Sequence, residues 1–245
     1  MNLLLLSNST APGRAYLAHA QEPIEALLDG RRSLLFVPYA LADPDGYTAQ
    51  VRGFFEPLGV RVTGAHESEP ARAAAAAEAV FIGGGNTFRL IKALHELALV
   101  DAIRNAVRRG APFLGSSAGT NVATPSIRTT NDMPIVQPPS FEALALVPFQ
   151  INPHYLDPDP ASTHQGETRE ERLAQFLEEN DVPVLGMREG TWLSVTDDSC
   201  VLGGSAVGAR LFTRGAAPEE IDAGAVLTRL LDTRPAFDAG IVTRQ

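Results

Sequence analysis

The sequence predicts an α/β fold in three layers, in which a largely parallel, doubly wound sheet lies between helices. Short apolar runs alternate with longer amphipathic stretches in the first half of the chain, a rhythm typical of βαβ units. The 245 residues are 44% hydrophobic, which is enough for one large core. Because neither a linker nor an internal repeat divides the chain, we expect a single domain over 1–215. A tail would follow over 216–245, with one helix over Ile221–Leu231.

Each element of the first half follows from this alternation. The apolar runs predicted as strands are Leu3–Leu6, Ser33–Val37, Val60–Gly64, Ala79–Ile82 and Pro112–Leu114. The stretches predicted as helices are Ala15–Leu28, Tyr47–Leu58, Glu69–Glu78 and Phe88–Arg109. Prolines crowd residues 125–160, where no long helix can persist.

Beyond the proline-rich stretch, a helix is expected near Thr168–Asn180, because Thr168 suits an N-cap and acidic residues follow it. Short strands come next, and they predict a meander at the edge of the sheet. These strands are Val182–Met187, Trp192–Val195, Cys200–Leu202 and Ala209–Thr213.

Charge and cysteine content exclude several classes of function. The chain carries 29 acidic and 20 basic residues, a formal net charge of −9, with no clustered Lys/Arg run. We therefore expect no nucleic acid or membrane partner, and a field that opposes acidic substrates unless a local cation reverses it. The single cysteine, Cys200, indicates a reducing, cytoplasmic location. The histidines lack metal-ligand spacing, so neither a metal nor another cofactor is expected, and the oligomeric state stays open.

A candidate nucleophile follows the strand predicted at Pro112–Leu114. Gly115-Ser116-Ser117-Ala118-Gly119 is a G-x-S-x-G motif between an apolar run and a helix-like stretch. A serine on a strained strand-to-helix turn needs small neighbours, and its hydroxyl is then exposed above the sheet. The same pattern also occurs in ordinary turns, but the preceding strand favours a nucleophile elbow at Ser117.

A glycine-rich loop follows the strand predicted at Ala79–Ile82. Gly83-Gly84-Gly85-Asn86 offers unhindered backbone amides at a strand end. It lacks the third glycine of a dinucleotide-binding fingerprint and does not follow the first strand. We therefore expect an oxyanion or substrate-clamping loop, because strand-end loops of a parallel sheet converge on one crevice.

A serine nucleophile needs a base and a group that orients the base. His154 follows an apolar run and a proline, and His164, in an exposed-looking loop, is its rival. His19, His66 and His95 lie in stretches predicted as helix or loop, and we assign them to the surface or to packing. Either Asp132 or Glu189 could orient an imidazole, and the spacing does not decide between them.

Taken together, these motifs resemble peptidase E, the α-aspartyl dipeptidase family of serine peptidases, which is related to cyanophycinases. The resemblance runs in order over nearly all of the chain to about Gly215. It rests on the motifs Leu3–Thr10, Gly83–Phe88, Ser117–Gly119, Ile127–Ile135, Ile151–His154, Gly166–Arg169, Glu189–Trp192 and Val201–Gly204. It implies a flavodoxin-like or class I amidotransferase-like sheet and metal-free hydrolysis of Asp-Xaa dipeptides through an aspartyl-enzyme intermediate.

Carried over motif by motif, the resemblance makes Ser117 the nucleophile and His154 the general base. The family's acid has been placed at the positions of both Asp132 and Glu189. We favour Glu189 as the histidine partner and Asp132 as a structural or substrate-site carboxylate. The backbone amides of Gly85 and Ala118 match the family's oxyanion hole.

The resemblance assigns Asn86, Glu167 and Arg169 to the pocket for the substrate's aspartate. A guanidinium can bind the aspartyl carboxylate in a bidentate pair, and Glu167 can pair with the α-ammonium. Two positions depart from the family: Ser116 stands where a tryptophan is usual, and Thr120 where alanine is common. Both flank the nucleophile and bear on the pocket shape and the leaving-residue preference.

Two other hypotheses compete with an Asp-Xaa dipeptidase. A cyanophycinase-like or isoaspartyl hydrolase would share the serine but accept a β-linked or polymeric substrate. A non-catalytic module that binds a small acidic ligand would keep the glycine loop and Arg169 without using Ser117 as a nucleophile. A lipase-like hydrolase is disfavoured, because its histidine comes late in the chain, after the acid.

Overall fold

The computed structural model describes residues 1–11, 13–161, 163 and 165–240. Its strands are β1 (Asn2–Leu6), β2 (Ser33–Val37), β3 (Arg61–Gly64), β4 (Val80–Ile82), β5 (Phe113–Ser116), β6 (Gln150–Pro153), β7 (Val184–Met187), β8 (Thr191–Thr196), β9 (Cys200–Gly204), β10 (Ala209–Phe212) and β11 (Glu219–Ile221). Its α-helices are α1 (Gln21–Leu28), α2 (Pro44–Phe55), α3 (Pro70–Ala75), α4 (Thr87–Glu96), α5 (Leu99–Arg108), α6 (Ala118–Asn121) and α7 (Arg169–Glu179). No helix in this described part is long and apolar enough to cross a membrane.

The main sheet confirms the predicted α/β class. In the described residues it has seven strands in the order β3-β2-β4-β5-β1-β8-β9, and β1 to β5 run parallel. Alternate side chains of β1 enter two different cores. Leu3 and Leu5 pack with α4 and α5, whereas Leu4 and Leu6 pack with α1 and α2. Helices therefore cover both faces of the sheet, as the three-layer prediction requires.

The predicted meander is divided between two sheets. β8 and β9 form an antiparallel hairpin at the edge of the main sheet, beside β1. β7 and β10 instead belong to a second sheet, which has the order β11-β10-β7-β6. The prediction of a single meander was wrong because the turn at Glu189–Gly190 carries the chain from one sheet to the other. The strand β6, within the proline-rich stretch, was not predicted.

The helix predicted over Phe88–Arg109 is two helices, α4 and α5. Ala98 lies between them with a left-handed backbone, φ 52°. Continuing the phase of Leu90 and Leu94 would turn Asp101 and Arg108 towards the core. The break resets the phase, so that α5 buries its own apolar face, which consists of Leu99, Val100, Ile103, Ala106 and Val107.

The predicted tail helix over Ile221–Leu231 is also absent from the described residues. Glu219–Ile221 forms β11, which pairs antiparallel with β10, and Thr228–Asp232 is a short 3-10 turn. Gly224, with φ 89°, lies between the two and interrupts any helix. The division of the chain into a domain over 1–215 and a tail stays a prediction.

Burial of Cys200 should make the stability of the fold depend on pH in the alkaline range. It is fully buried in β9, and burial raises the pKa of its thiol from 9.0 to about 12. Above pH 9 the unfolded chain loses this proton while the native protein keeps it, so stability falls as pH rises towards 12. Between pH 9 and 10, urea titrations should show wild type losing about 1 kcal/mol more than Cys200→Ala. Parallel pH curves for the two proteins would contradict this effect.

Candidate active site

The motif around Ser117 forms a sharp turn at the carboxyl end of β5. Ser117 has φ 54° and ψ −111°, a backbone conformation that is strained for a residue with a side chain, and its N–H donates to the Leu6 carbonyl at 3.0 Å. The flanking glycines are required by close packing. A Cβ at Gly119 would overlap the Ile82 carbonyl, and one at Gly115 would overlap the Gly119 carbonyl. The turn leads directly into α6, which matches the geometry expected of a nucleophile elbow.

Ser117, His154 and Glu189 form a continuous hydrogen-bonded chain. Ser117 Oγ lies 2.9 Å from His154 Nε2, and His154 Nδ1 lies 2.6 Å from Glu189 Oε1. With Nδ1–H donating to the carboxylate, Nε2 is the acceptor that faces the serine hydroxyl. The arrangement can therefore accept the serine proton and stabilise the imidazolium that results.

The backbone of His154 is held in an unusual conformation by Ser7. His154 follows β6 with φ 52°, and its N–H donates to Ser7 Oγ at 3.0 Å. The Ser7 hydroxyl in turn donates to the Met187 carbonyl at 2.8 Å. Ser7 is fully buried at the end of β1. Its two hydrogen bonds link that strand to β7 and hold the backbone from which the His154 side chain extends. It was missed at sequence level, although it lies inside the first motif of the resemblance.

We expect Ser7→Ala to destabilise the fold by about 1–3 kcal/mol, because it leaves the buried His154 N–H and Met187 carbonyl without their shared partner. Urea unfolding measures the loss. Thr10→Ala, a hydroxyl deletion at an exposed position nearby, is the control and should unfold like wild type. Equal stabilities of the Ser7 and Thr10 variants would contradict the role given to Ser7.

Glu189 lies in the turn between β7 and β8. The next residue, Gly190, has φ 83°, and its N–H donates to Asn8 Oδ1 at 2.8 Å. On the other side, Arg188 donates to Asp157 at 2.7 Å and to Glu220 at 3.0 Å. These carboxylates, Asp157 foremost, raise the pKa of Arg188 above its ordinary value. The turn is therefore anchored at both ends, and the carboxylate between them faces His154.

Asp132 does not contact His154. Its Oδ2 accepts from the Thr87 N–H at 2.7 Å, from the Thr87 hydroxyl at 2.6 Å and from the Thr130 hydroxyl at 3.2 Å. These bonds tie the loop after the 3-10 turn Ile127–Thr129 to the start of α4. The two acids that sequence spacing left undecided thus occupy different places, Glu189 on the imidazole and Asp132 on the cavity wall.

The glycine loop after β4 lies against the nucleophile. A Cβ at Gly84 would lie 3.0 Å from Ser117 Cβ. Gly85 has φ 130°, and a Cβ there would overlap the Ala40 carbonyl. Among the described residues, the Gly85 N–H has no hydrogen-bond acceptor. Ala118 begins α6, so its N–H has no partner within the helix. Both predicted oxyanion amides therefore belong to elements that flank Ser117, and both have an unused donor.

A cavity of about 360 Å³ opens beside the serine and contains both positive and negative groups. It is lined by Thr87, Ser117, Ala118, Thr130, Asn131, Asp132, Pro153, His154, Leu156, Arg169 and Glu189. Arg169 has no ion pair among the described residues, and burial lowers the pKa of its guanidinium, as does nearby Arg172, while Asp132 acts to raise it. The cavity thus presents an unneutralised cation next to a carboxylate. Two larger cavities elsewhere on the surface, of about 550 and 620 Å³, contain none of the predicted catalytic residues.

Two of the predicted substrate residues do not line this cavity. The Asn86 side chain caps α4 by accepting from the Arg89 N–H at 3.0 Å and donates to the Met133 carbonyl at 2.9 Å. The Glu167 carboxylate accepts from Gln175 at 2.8 Å and lies 3.7 Å from Arg172. Both side chains are engaged in ordering the starts of helices rather than in lining the pocket.

Some residues that line the cavity were missed at sequence level, and some residues named from the sequence lie elsewhere. Thr87, Thr130, Asn131 and Leu156 line the cavity but were not singled out, although Thr130 and Asn131 lie in the polar segment that contains Asp132. Ser116 and Thr120 are fully buried and do not line the cavity. The rival base His164 lies outside the described residues. Within them, no group of three His, Cys, Asp or Glu side chains could hold a metal ion.

The chain is similar to known peptidases in both sequence and fold. The model of "Peptidase family S51" matches residues 3–203. Peptidase E from Streptomyces coelicolor is 62% identical over 241 residues, which cover 98% of this chain and 99% of the relative. A Drosophila melanogaster protein named "Probable alpha-aspartyl dipeptidase" is 53% identical over 94% of this chain and 97% of its own length. The crystal structure of a peptidase from an acI-B1 actinobacterium shares the fold, with a TM-score of 0.65 at 17% identity over 92% of this chain and 96% of its own.

Proposed function

Because the chain belongs to peptidase family S51, it is a peptidase, and we propose that it hydrolyses dipeptides with an N-terminal aspartate, using Ser117 as nucleophile. The observation that carries this proposal is the Ser117–His154–Glu189 chain, which opens into the cavity that also contains Arg169 and Asp132. A serine, a base and an oriented acid supply acyl transfer chemistry. A guanidinium that is unpaired among the described residues, beside a carboxylate, supplies a site for a residue that carries both an anionic side chain and a free ammonium.

In the first half-reaction, Ser117 Oγ attacks the aspartyl carbonyl while His154 Nε2 takes the hydroxyl proton. Glu189 keeps Nδ1 protonated and balances the charge of the imidazolium. His154 then returns the proton to the leaving amine. The peptide C–N bond breaks, and the aspartyl group remains esterified to Ser117.

The tetrahedral intermediate carries a negative oxygen that needs donors. The amides of Gly85 and Ala118 flank the serine and have no competing acceptor in the described part of the chain, which supports their assignment as the oxyanion hole. Preorganised donors of this kind are worth about 2.7–4 kcal/mol each in comparable hydrolases. In the second half-reaction, His154 activates a water that hydrolyses the ester and releases aspartate.

Recognition of the aspartyl residue divides between two charged groups. Arg169 can bind the side-chain carboxylate with two parallel N–H donors. The α-ammonium needs an anion in the same cavity, which is lined by the carboxylates of Asp132 and Glu189, and Glu189 is already bonded to His154. We therefore assign ammonium binding to Asp132 rather than to Glu167, whose carboxylate is engaged with Gln175 and Arg172.

A dipeptide panel tests the function as a whole. We expect turnover of Asp-Leu to exceed that of Glu-Leu, Asn-Leu and Ala-Leu by at least about a hundredfold, because each replacement misplaces or removes the carboxylate that Arg169 would bind. β-Asp-Arg is included to test the isoaspartyl and cyanophycinase-like alternative. Preferred cleavage of β-Asp-Arg would support that alternative. Binding of aspartate without cleavage of any peptide would support the non-catalytic module.

Replacing the two carboxylates one at a time separates their roles. Glu189→Gln should lower kcat on Asp-Leu about 10- to 100-fold with little change in KM, through loss of a charge-assisted hydrogen bond to His154 worth about 1.5–3 kcal/mol. Asp132→Asn, the matched variant on the cavity wall, should raise KM instead. Steady-state kinetics of both proteins checks this, and a reversed pattern would make Asp132 the acid that serves His154.

We also infer that the protein acts in the cytoplasm on small molecules and does not bind nucleic acid. Its single cysteine is free and buried, which suits a reducing compartment. The net charge of −9 opposes polyanions. Cell fractionation with an antibody against this chain tests the location, and recovery outside the cytoplasm would contradict it.

A further inference from the structure

A second cavity, of about 480 Å³, begins where the hydrogen-bonded chain of the active site ends. Glu189 lines both cavities, and the second also contains Asn8, Arg14, His19 and Trp192. The Glu189 side chain is about half exposed, at 48%, so the catalytic carboxylate is not sealed behind the histidine as in a closed triad. Space for a ligand therefore continues past it.

The chemistry of the reaction places the leaving residue on this side. The aspartyl half of the substrate would occupy the first cavity, where Arg169 and Asp132 lie. The leaving nitrogen must receive its proton from His154 Nε2, so the rest of the leaving residue extends past the imidazole. His154 Nδ1 is 2.6 Å from Glu189, and the second cavity starts at that residue.

The second cavity has the donors that a carboxylate requires. Arg14 is exposed and has no ion pair among the described residues, and the loop that carries it is closed by its own N–H, which donates to the Ala11 carbonyl at 3.0 Å. Both ring nitrogens of His19 are buried, and in the part of the chain described neither makes a hydrogen bond of good geometry, the backbone of Asn8 being their one weak partner. Burial, and secondarily the charge of Arg14, lower the pKa of His19, so its neutral ring offers one N–H donor. A buried polar ring without partners is costly unless a ligand satisfies it.

Part of the lining of this cavity is apolar and closely packed. Trp192, at the start of β8, is half-buried and presents part of its indole to the cavity. Gly204 lies beside it with φ 99°, and a Cβ there would overlap the Gly190 carbonyl. The combination of a cation, an unsatisfied imidazole and an aromatic surface suits an amino acid that has a free carboxylate and an apolar side chain.

We propose that the second cavity binds the leaving residue of the dipeptide, with Arg14 and His19 holding its α-carboxylate and Trp192 contacting its side chain. This inference rests on the proposed function and extends it to the other half of the substrate. It gives a physical reason for a preference for dipeptides, because only in a dipeptide does a free carboxylate directly follow the scissile bond. In a tripeptide, an uncharged amide would stand at the same place.

The test compares Asp-Leu with Asp-Leu-amide, which differs only in lacking the carboxylate charge. Wild type should prefer the free acid, and Arg14→Gln should reduce kcat/KM for Asp-Leu about tenfold while changing that for the amide less than twofold. Arg72→Gln removes another exposed arginine, on α3, and should behave as wild type on both. Arg14→Lys keeps the charge and should restore part of the preference.

A second measurement uses inhibition by the two products. Leucine should inhibit wild type as a product, and its inhibition constant should rise in Arg14→Gln and in His19→Gln, while that of aspartate stays the same. Equal losses on Asp-Leu and its amide, or an unchanged leucine constant, would overturn the subsite. If wild type cleaves neither substrate, the proposed function itself fails and the subsite falls with it; cleavage without discrimination by Arg14 refutes the subsite alone.

Discussion

Ser117→Ala should lower kcat/KM for Asp-Leu by about ten thousandfold or more, since it removes the atom that we propose forms the acyl-enzyme. The fold should be unaffected. The strained turn is held by the Ser117 N–H on the Leu6 carbonyl and by the flanking glycines, and none of these contacts uses the hydroxyl. Steady-state kinetics and thermal unfolding on the same preparation separate loss of chemistry from loss of structure.

The adjacent serine provides a matched control. Ser116 is fully buried, and its hydroxyl has no hydrogen-bond partner among the described residues. Ser116→Ala therefore removes the same atom one residue away, and it should keep activity within a few fold. Retention of wild-type turnover in Ser117→Ala would refute the serine mechanism, whatever the control shows.

Arg169→Met should lower kcat/KM for Asp-Leu about 30-fold to several thousandfold, equivalent to roughly 2–5 kcal/mol, through loss of the partner of the aspartyl carboxylate. Methionine keeps much of the side-chain length and removes the charge. Because Arg169 makes no ion pair within the described structure, its removal should leave the cavity otherwise intact. Turnover of Ala-Leu, which has no such carboxylate, should hardly change, so discrimination between the two substrates should collapse.

Arg172 lies less than one helical turn further along α7 and is largely exposed, which makes Arg172→Met the natural control. It should leave both substrates unaffected. An equal loss of kcat/KM on Asp-Leu and Ala-Leu in Arg169→Met would mean that Arg169 supports the site without binding the substrate's side-chain carboxylate.

Much of the fold could be predicted because local signals agreed with the tertiary structure. The apolar runs of β1, β2 and β4 are bounded by turn residues and buried on both faces, so their period and length were unambiguous. The errors came where tertiary packing decides. Nothing local marks Ala98 as a left-handed break, and the assignment of β7 to a second sheet depends on its pairing with β6 and β10.

The candidate site shows the same division. Ser117 lies in a motif whose small residues have a local cause, so sequence alone could locate it. The choice between Asp132 and Glu189 could not be made by spacing, because His154 is positioned by Ser7, a residue 147 places away in the chain. Likewise, Glu167 and Arg169 are two residues apart, but only Arg169 lines the cavity. The helix N-cap, Thr168, lies between them, so that Arg169 is helical and Glu167 is not.

The two-sheet arrangement gives the catalytic chain an unusual dependence. The proposed nucleophile follows a strand of the main sheet, the proposed base follows a strand of the second sheet, and the proposed acid lies on the connection between the two. The activity should therefore depend on the position of the two sheets relative to one another. A substitution that shifts the smaller sheet, even one in its outer strand β11, should abolish activity while the larger sheet stays folded. Loss of activity should thus precede loss of helical signal during gradual denaturation.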